Sequence, residues 1–236
     1  APPHYNEGSP ASPLARGSPL LVALAVPCAI LPVAGFLWLV WWMDRYDREP
    51  LWLFGLAFVW GGLGGALLAL ASSQVAAESA LLAGADLQTA QILLAPLLEE
   101  PAKALVLLLI VTNRHFDNTT DGFVYGAAAG LGFAMTENLM YFTRAAEGAA
   151  LLPFAALVGL RSLYSALMHA SATSLVGAAL GWIKFRRGAL RWLALPAGLI
   201  GALGIHGLWN GLLVASASGR LALGLLDLAI FPVELG

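Results

Sequence analysis

Residues 93–111 have the sequence LLAPLLEEPAKALVLLLIV, an apolar run with two adjacent carboxylates and a lysine near its middle. A helix needs about 20 apolar residues to cross the roughly 30 Å hydrocarbon core of a bilayer. An ionisable side chain at that depth costs about 2.5–3.5 kcal/mol on insertion scales, so such residues normally face the bundle interior and have a function there. The stretch therefore predicts a membrane-spanning helix that carries Glu99, Glu100 and Lys103 into a polar cavity.

Three other apolar stretches are interrupted in the same way. Glu137 lies in GLGFAMTENLMYF, His169 in LYSALMHASATSLVG, and His206 in LGIHGLWNGLLV. Three carboxylates and two imidazoles on four predicted helices indicate one shared site.

The composition indicates an integral membrane protein. Hydrophobic residues make up 59% of the chain and charged residues 11%, against about 25% charged residues in soluble domains. The net charge of −2 provides no basic surface for nucleic acid. The single cysteine, Cys28, can form no intramolecular disulfide and is interpreted as a packing or lipid-facing residue.

The spacing of apolar runs predicts an all-α, polytopic bundle of about seven transmembrane helices around a polar intramembrane cavity. Residues 1–18 are rich in Pro, Ser and Gly and are predicted to be a disordered tail, so that 19–236 form the transmembrane domain. The stretch 148–160 is too short to cross alone and is interpreted as interfacial or re-entrant, with part of an extra span as the alternative. The predicted spans are 20–43, 51–71, 88–112, 121–143, 160–183, 190–216 and 220–235.

Basic residues predict the orientation. The loops 44–50, 113–120 and 184–189, with Arg191, contain seven arginines and lysines, whereas the opposite set contains only Arg16, Arg144 and Arg220. The positive-inside rule then places the N-terminus outside and the C-terminus in the cytoplasm. At 1.5 Å per residue, Glu137, His169, Glu99 and His206 lie about 9–15 Å below the outer helix ends, in one layer.

Each polar group also has a structural interpretation. Glu99 and Lys103, four residues apart, would form an ion pair on one helical face. His169 would hydrogen bond between helices, and His206 with Asn210 one turn later would form a polar seam. The second acid, Glu100, is not needed for packing, and adjacent carboxylates shift each other's pKa in opposite directions, as a general base near neutral pH requires.

The imidazoles and one glutamate also suit a metal ion. Glu137, His169 and His206 would supply an N,N,O ligand set that leaves one position open, as catalytic zinc sites do. A hydrogen-bonded proton relay through the same side chains is the metal-free alternative.

The chain resembles the PrsW-type intramembrane proteases, which are distantly related to CAAX prenyl endopeptidases and to the scaffold subunit of gamma-secretase. The resemblance covers about residues 44–213, including the loop DRYDREPLWLF before the second span. It rests on four motifs in order: Glu99-Glu100-x-x-Lys103, Phe133-x-x-x-Glu137, the isolated His169, and His206-x-x-x-Asn210.

The resemblance implies hydrolysis of a peptide bond in a membrane-anchored, single-span protein near its extracytoplasmic side, such as an anti-sigma factor. By analogy with the CAAX enzymes, Glu99 would activate water and Asn210 would help to hold the oxyanion, while Glu100 and Lys103 would tune the base. The family is classed with metallopeptidases, whereas its CAAX relatives are also described as metal-independent. The resemblance therefore does not decide whether the protein binds zinc. A proton-coupled transporter and a non-catalytic scaffold are the alternative functions.

Overall fold

A computed structural model of the protein describes residues 18–82, 84, 90–148 and 150–217. All regular structure in these ranges is helical. The predicted tail up to residue 17 and the predicted span 220–235 lie outside the described residues. The helices are α1 (Pro19–Met43), α2 (Leu51–Val59), α3 (Ala66–Leu82), α4 (Ala95–Ile110), α5 (Thr119–Ala146), α6 (Leu151–Leu160), α7 (Ala166–Phe185) and α8 (Ala194–Ala217).

Shorter helical stretches connect several of these helices. A π-helical stretch, Trp60–Gly65, joins α2 to α3, and another, Ala90–Leu94, leads into α4. A third, Arg161–Ser165, joins α6 to α7, and a 3₁₀-helix, Ala189–Leu193, precedes α8. Such π-helical turns are rare and frequently lie at functional sites.

Four helices among the described residues are long and apolar enough to cross a membrane: Pro19–Met43, Leu51–Val75, Leu151–Phe185 and Ala189–Ala215. The integral-membrane prediction is therefore supported. The predicted spans 88–112 and 121–143 correspond to helices α4 and α5, which carry the charged side chains of the candidate site and are not among the four.

The segment 148–160 was predicted to be interfacial or re-entrant. In the structure the chain does not turn back, because α6 continues through Arg161–Ser165 into α7 as one helix, Leu151–Phe185. Phe154 and Leu157 on α6 are buried against Phe142 of α5. The apolar character of this segment thus reflects packing inside the bundle as well as contact with lipid.

Helix α5 lies at the centre of the bundle, and small residues allow its neighbours to approach. Gly122, Gly126 and Gly130 recur every fourth residue and face α7, a small-residue pattern typical of close helix packing in membranes. A Cβ atom on Gly130 would lie 2.3 Å from the carbonyl oxygen of His169. On another face, a Cβ on Gly132 would lie 2.0 Å from the carbonyl oxygen of Phe58. Helices α2 and α7 therefore pack against α5 almost backbone to backbone.

Large aliphatic side chains cover the outside of the bundle. They include Leu31, Leu67, Leu109, Leu152 and Ile200, each more than 60% exposed. An apolar surface of this extent suits the hydrocarbon of a bilayer, whereas soluble monomers rarely expose large apolar patches.

Three loops meet at one end of the bundle, here called the basic end. Lys184 Nζ donates to the carbonyl oxygens of Asn113 and Phe116, at 3.2 and 2.5 Å. Asn118 Nδ2 lies 3.4 Å from Asp47 Oδ2, which ties the 44–50 loop to the start of α5. The loops that were predicted to share one side of the membrane therefore do lie together.

Three carboxyl groups and a phenol lie together at the basic end and are here called the acidic clasp: Asp44, Glu49, Asp121 and Tyr125. The Glu49 amide donates to Asp44 Oδ2 at 3.0 Å, and the Tyr125 hydroxyl donates to Glu49 Oε2. Asp121 forms a capping box with Asn118 at the start of α5. Burial, together with a hydrogen bond to Asp121, raises the pKa of Glu49 to about 8. Glu49 therefore carries a proton at neutral pH.

Candidate active site

Helix α4 places two carboxylates and an ammonium group side by side. Lys103 Nζ lies 2.7 Å from Glu100 Oε1 and 3.3 Å from Glu99 Oε2. Glu100 and Lys103 are fully buried, whereas the Glu99 side chain is 16% exposed. The ion pair considered from the sequence joined Glu99 to Lys103, but the shorter contact is with Glu100.

His169 bridges α4 and α5. Its Nδ1 lies 2.8 Å from Lys103 Nζ and its Nε2 lies 2.7 Å from Glu137 Oε2. An ammonium group can only donate, so Nδ1 accepts and Nε2 carries the proton that is donated to Glu137. These two contacts select one tautomer of the neutral ring.

His206 approaches from α8. Its Nδ1 lies 2.8 Å from Glu100 Oε1, and its Nε2 lies 3.7 Å from Glu99 Oε2. Since a carboxylate accepts, Nδ1 is the donor, and the Nε2 lone pair of a neutral ring faces Glu99. The rings of His206 and His169 meet edge to face, with centroids 4.9 Å apart.

Two further side chains complete the surroundings of Lys103 and Glu100. The Phe133 ring lies 3.9 Å from Lys103 Nζ, in the geometry of a cation–π contact. Thr173 Oγ1 donates to Glu100 Oε2 at 3.2 Å. Thr173 was not predicted as a site residue, although its position one turn after His169 in an apolar helix was a usable signal.

Glu137 is held by a cation that the sequence analysis did not place in the site. Arg161 Nη2 lies 2.7 Å from Glu137 Oε2, and the arginine side chain is buried. The same carboxylate oxygen is therefore ion-paired with Arg161 and receives a hydrogen bond from His169.

Asn210 lies one turn beyond His206 on α8 and is half-buried. The neighbouring Trp209 stacks on Tyr164, with ring centroids 6.5 Å apart. The oxyanion role of Asn210 stays a prediction.

Three side chains at the centre of these contacts could hold a metal ion. One ligand atom each from Glu99, His169 and His206 lies within 4.8 Å of the others. The tautomers above leave lone pairs on His169 Nδ1 and His206 Nε2, so two nitrogens and one carboxylate oxygen fit zinc. Glu137 and Glu100 then bind the opposite ring nitrogens, as carboxylates behind zinc-bound histidines commonly do.

This set shares both histidines with the one predicted from the sequence and has Glu99 in place of Glu137. Lys103 Nζ contacts His169 Nδ1 directly, so an ammonium group and a metal ion would compete for that lone pair.

The fold and the contacts together define a helical membrane protein with a cluster of acidic and basic side chains between its helices. Residues 49–234 match the model of the PrsW family intramembrane metalloproteases, and the chain belongs to this family. It is 28% identical to Protease PrsW of Geobacillus kaustophilus over 87% of both chains. It is 28% identical to Protease PrsW of Bacillus subtilis over 80% of this chain and 83% of the relative. A match to Protease PrsW of Clostridioides difficile, at 31% identity, spans about half of each chain, 48%. No solved structure is significantly similar to this chain.

Proposed function

We propose that the protein is an endopeptidase that hydrolyses a peptide bond of a membrane-anchored protein, with Glu99 as the base that activates water. The proposal is supported by the different distances between the three glutamates and the cations beside them. Lys103 lies 2.7 Å from Glu100, and Arg161 lies 2.7 Å from Glu137. Glu99 has the longest contact with a cation, 3.3 Å, and its side chain is partly exposed. Glu137 is exposed to a similar extent, but both Arg161 and His169 lie 2.7 Å from it. Glu99 is therefore the partly exposed carboxylate with spare acceptor capacity for water.

A water molecule between Glu99 and His206 is the nucleophile in this proposal. The 3.7 Å distance between Glu99 Oε2 and His206 Nε2 is too long for a direct hydrogen bond, and one water can donate to both acceptors. Glu99 takes the proton, the water oxygen bonds to the scissile carbonyl carbon, and the C–N bond then breaks. The proton held by Glu99 passes to the departing nitrogen.

The other side chains hold charge and geometry in place. Glu100 orients His206 and Lys103, since it contacts both. We propose that Asn210 donates to the oxyanion of the tetrahedral intermediate, as pre-positioned amides do in other hydrolases.

A metal-assisted version is the second candidate, favoured by the proximity of Glu99, His169 and His206. A zinc ion held there would act as a Lewis acid on the scissile carbonyl. In this version Glu99 is a ligand rather than the base.

We propose a single-span membrane protein, such as an anti-sigma factor, as the substrate, cut near its extracytoplasmic side. The support is the positive-inside assignment of the basic end to the cytoplasm. Glu137 lies 16 residues from Asp121 along α5, about 24 Å from the basic end at 1.5 Å per residue. The cleavage site then lies in the outer half of the bilayer.

Purified protein in liposomes with a single-span substrate tests the function. We expect Glu99→Gln to lower turnover by about 10²–10⁴-fold, the usual contribution of a general base, without loss of thermal stability. The matched control is Glu78→Gln, on the exposed surface of α3. Mass spectrometry should place the cut toward the extracytoplasmic end. Equal turnover of Glu99→Gln and wild type would exclude both roles of Glu99, and a cut at the cytoplasmic end would reverse the orientation.

A further inference from the structure

Arg161 is a buried cation that pairs with Glu137 and takes no part in the proposed chemical steps. It lies in the π-helical stretch between α6 and α7 and is 3% exposed. Its guanidinium contacts Glu137 Oε2 at 2.7 Å, Asn138 Oδ1 at 2.9 Å, Ser165 Oγ at 3.3 Å and the Tyr141 ring at 3.7 Å.

These contacts converge on one short segment of α5. Glu137, Asn138 and Tyr141 all lie on that helix, and only Ser165 belongs to Arg161's own stretch. Packing between helices requires no charge, and a buried guanidinium is costly unless its donors are matched. The planar guanidinium presents several donors at fixed directions, so it can contact Glu137 and Asn138 at once, which the single ammonium of lysine does less specifically. The contacts therefore restrict the position of the Glu137 carboxylate.

The orientation of Glu137 in turn determines what His169 presents to the site. Because the positive guanidinium of Arg161 pairs with the Glu137 carboxylate, Glu137 is kept as an acceptor, and it accepts the Nε2–H of His169 through the same oxygen, Oε2. Nδ1 of His169 then keeps its lone pair, directed toward Lys103.

We propose that Arg161 is a positioning residue for peptide-bond hydrolysis, which acts through Glu137 to hold His169 in the tautomer with its Nδ1 lone pair facing the site. The proposal rests on the proposed function for its kinetic part. Its structural part, the tautomer, is measurable without any substrate.

The first test is Arg161→Met, with Arg144→Met, an exposed arginine of α5, as the matched control. Removal of a residue that orients a metal-ligating histidine typically lowers metal affinity or activity by about 10–100-fold. We expect a loss of about that size in kcat with little change in KM, because His169 is disturbed and substrate docking is not. The control should match wild type in both constants.

Nitrogen-15 NMR of histidine-labelled protein is the second readout. The chain has four histidines, and His169→Gln identifies the signal of His169. Wild type should show one neutral tautomer with the proton on Nε2. Arg161→Met should show a mixture of tautomers, and Arg161→Lys should recover part of the wild-type signal. A purely structural role would lower thermal stability and leave the tautomer unchanged.

A double variant keeps the test informative where Arg161→Met does not fold. Arg161→Met with Glu137→Gln removes both charges, and the amide oxygen can still accept from His169 Nε2. We expect this variant to fold, to keep the Nε2–H tautomer and to recover part of kcat. A wild-type tautomer and wild-type kcat in Arg161→Met would overturn the proposal. Absence of cleavage by wild type would overturn the proposed function, and the tautomer would then decide the role of Arg161 alone.

Discussion

The candidate site and the acidic clasp both gather three carboxyl groups in buried surroundings, and they compensate the charge differently. In the site, Lys103 lies 2.7 Å from Glu100, and Arg161 lies 2.7 Å from Glu137. In the clasp, Glu49 hydrogen bonds to Tyr125 and Asp121 and carries a proton at neutral pH. A buried acid can thus be accommodated by a cation or by a proton.

The difference indicates what each region is suited to do. Two cations lie beside three glutamates in the site, and of the two partly exposed ones, Glu99 and Glu137, Glu99 has the longer contact with a cation. A protonated Glu49 itself carries no charge, and it ties the 44–50 loop to the start of α5. The same residue type therefore supports chemistry in one place and packing in the other.

Removing a cation from the site should have the largest effect. We expect Lys103→Met to lower the free energy of unfolding by about 3–5 kcal/mol, because it leaves a buried carboxylate without its partner, and to abolish cleavage. Thermal unfolding in detergent measures the first effect. The double variant Lys103→Met/Glu100→Gln should recover most of the stability and none of the activity. A stable, active Lys103→Met protein would contradict compensation by the cation.

The metal content of the purified protein tests the metal-assisted version of the proposed function. If Glu99, His169 and His206 hold zinc, the purified protein should contain about one ion per chain and a strong chelator should inactivate it reversibly. Glu99→Gln should then lose zinc more readily than Glu137→Gln, which separates the structural ligand set from the one predicted from the sequence. Full activity without bound metal would favour the metal-free glutamate mechanism.

The sequence predicts which polar residues meet, because an ionisable group in an apolar helix can lower its free energy only by facing the interior. Glu99, Glu100, Lys103, Glu137, His169 and His206 accordingly form one connected network. The spacing within each motif does not predict the pairing between motifs. Lys103 lies closer to Glu100 than to Glu99, and Glu137 contacts the ring nitrogen of His169 that Lys103 does not. Both arrangements depend on how four helices pack.

Arg161 was missed because the segment before it was interpreted as interfacial, where arginine is common. The π-helical turn that contains it has no reliable sequence signature. The glycine face of α5 is different, since Gly122, Gly126 and Gly130 are visible in the sequence at four-residue spacing and indicate close helix packing.

That glycine face connects the fold to the site, and Gly130→Ala tests it. A Cβ there would lie 2.3 Å from the His169 carbonyl oxygen, so α7 must shift. Overpacking of this kind costs about 1–3 kcal/mol, and cleavage should fall because His169 moves with α7. Gly204→Ala is the control, since a Cβ at Gly204 would meet nothing within 4 Å. Equal unfolding temperatures of the two variants would show that α7 does not need this close approach.

The acidic clasp should give the smallest effect, visible as a change with pH. The pKa of Glu49 in the folded protein, about 8, lies above the ordinary value of a glutamate. Between these values the folded state binds more protons than the unfolded state, so the contribution of Glu49 to stability is lost as pH rises through about 8. Glu49→Gln cannot ionise and can still donate to Asp121 and accept from Tyr125. Its unfolding temperature should therefore fall less than that of wild type between pH 6 and 9.5, whereas the exposed control Glu147→Gln should follow wild type. If the unfolding temperatures of wild type and Glu49→Gln changed equally with pH, Glu49 would not be neutralised by a proton. A cation would then neutralise the clasp, as Lys103 and Arg161 do in the candidate site.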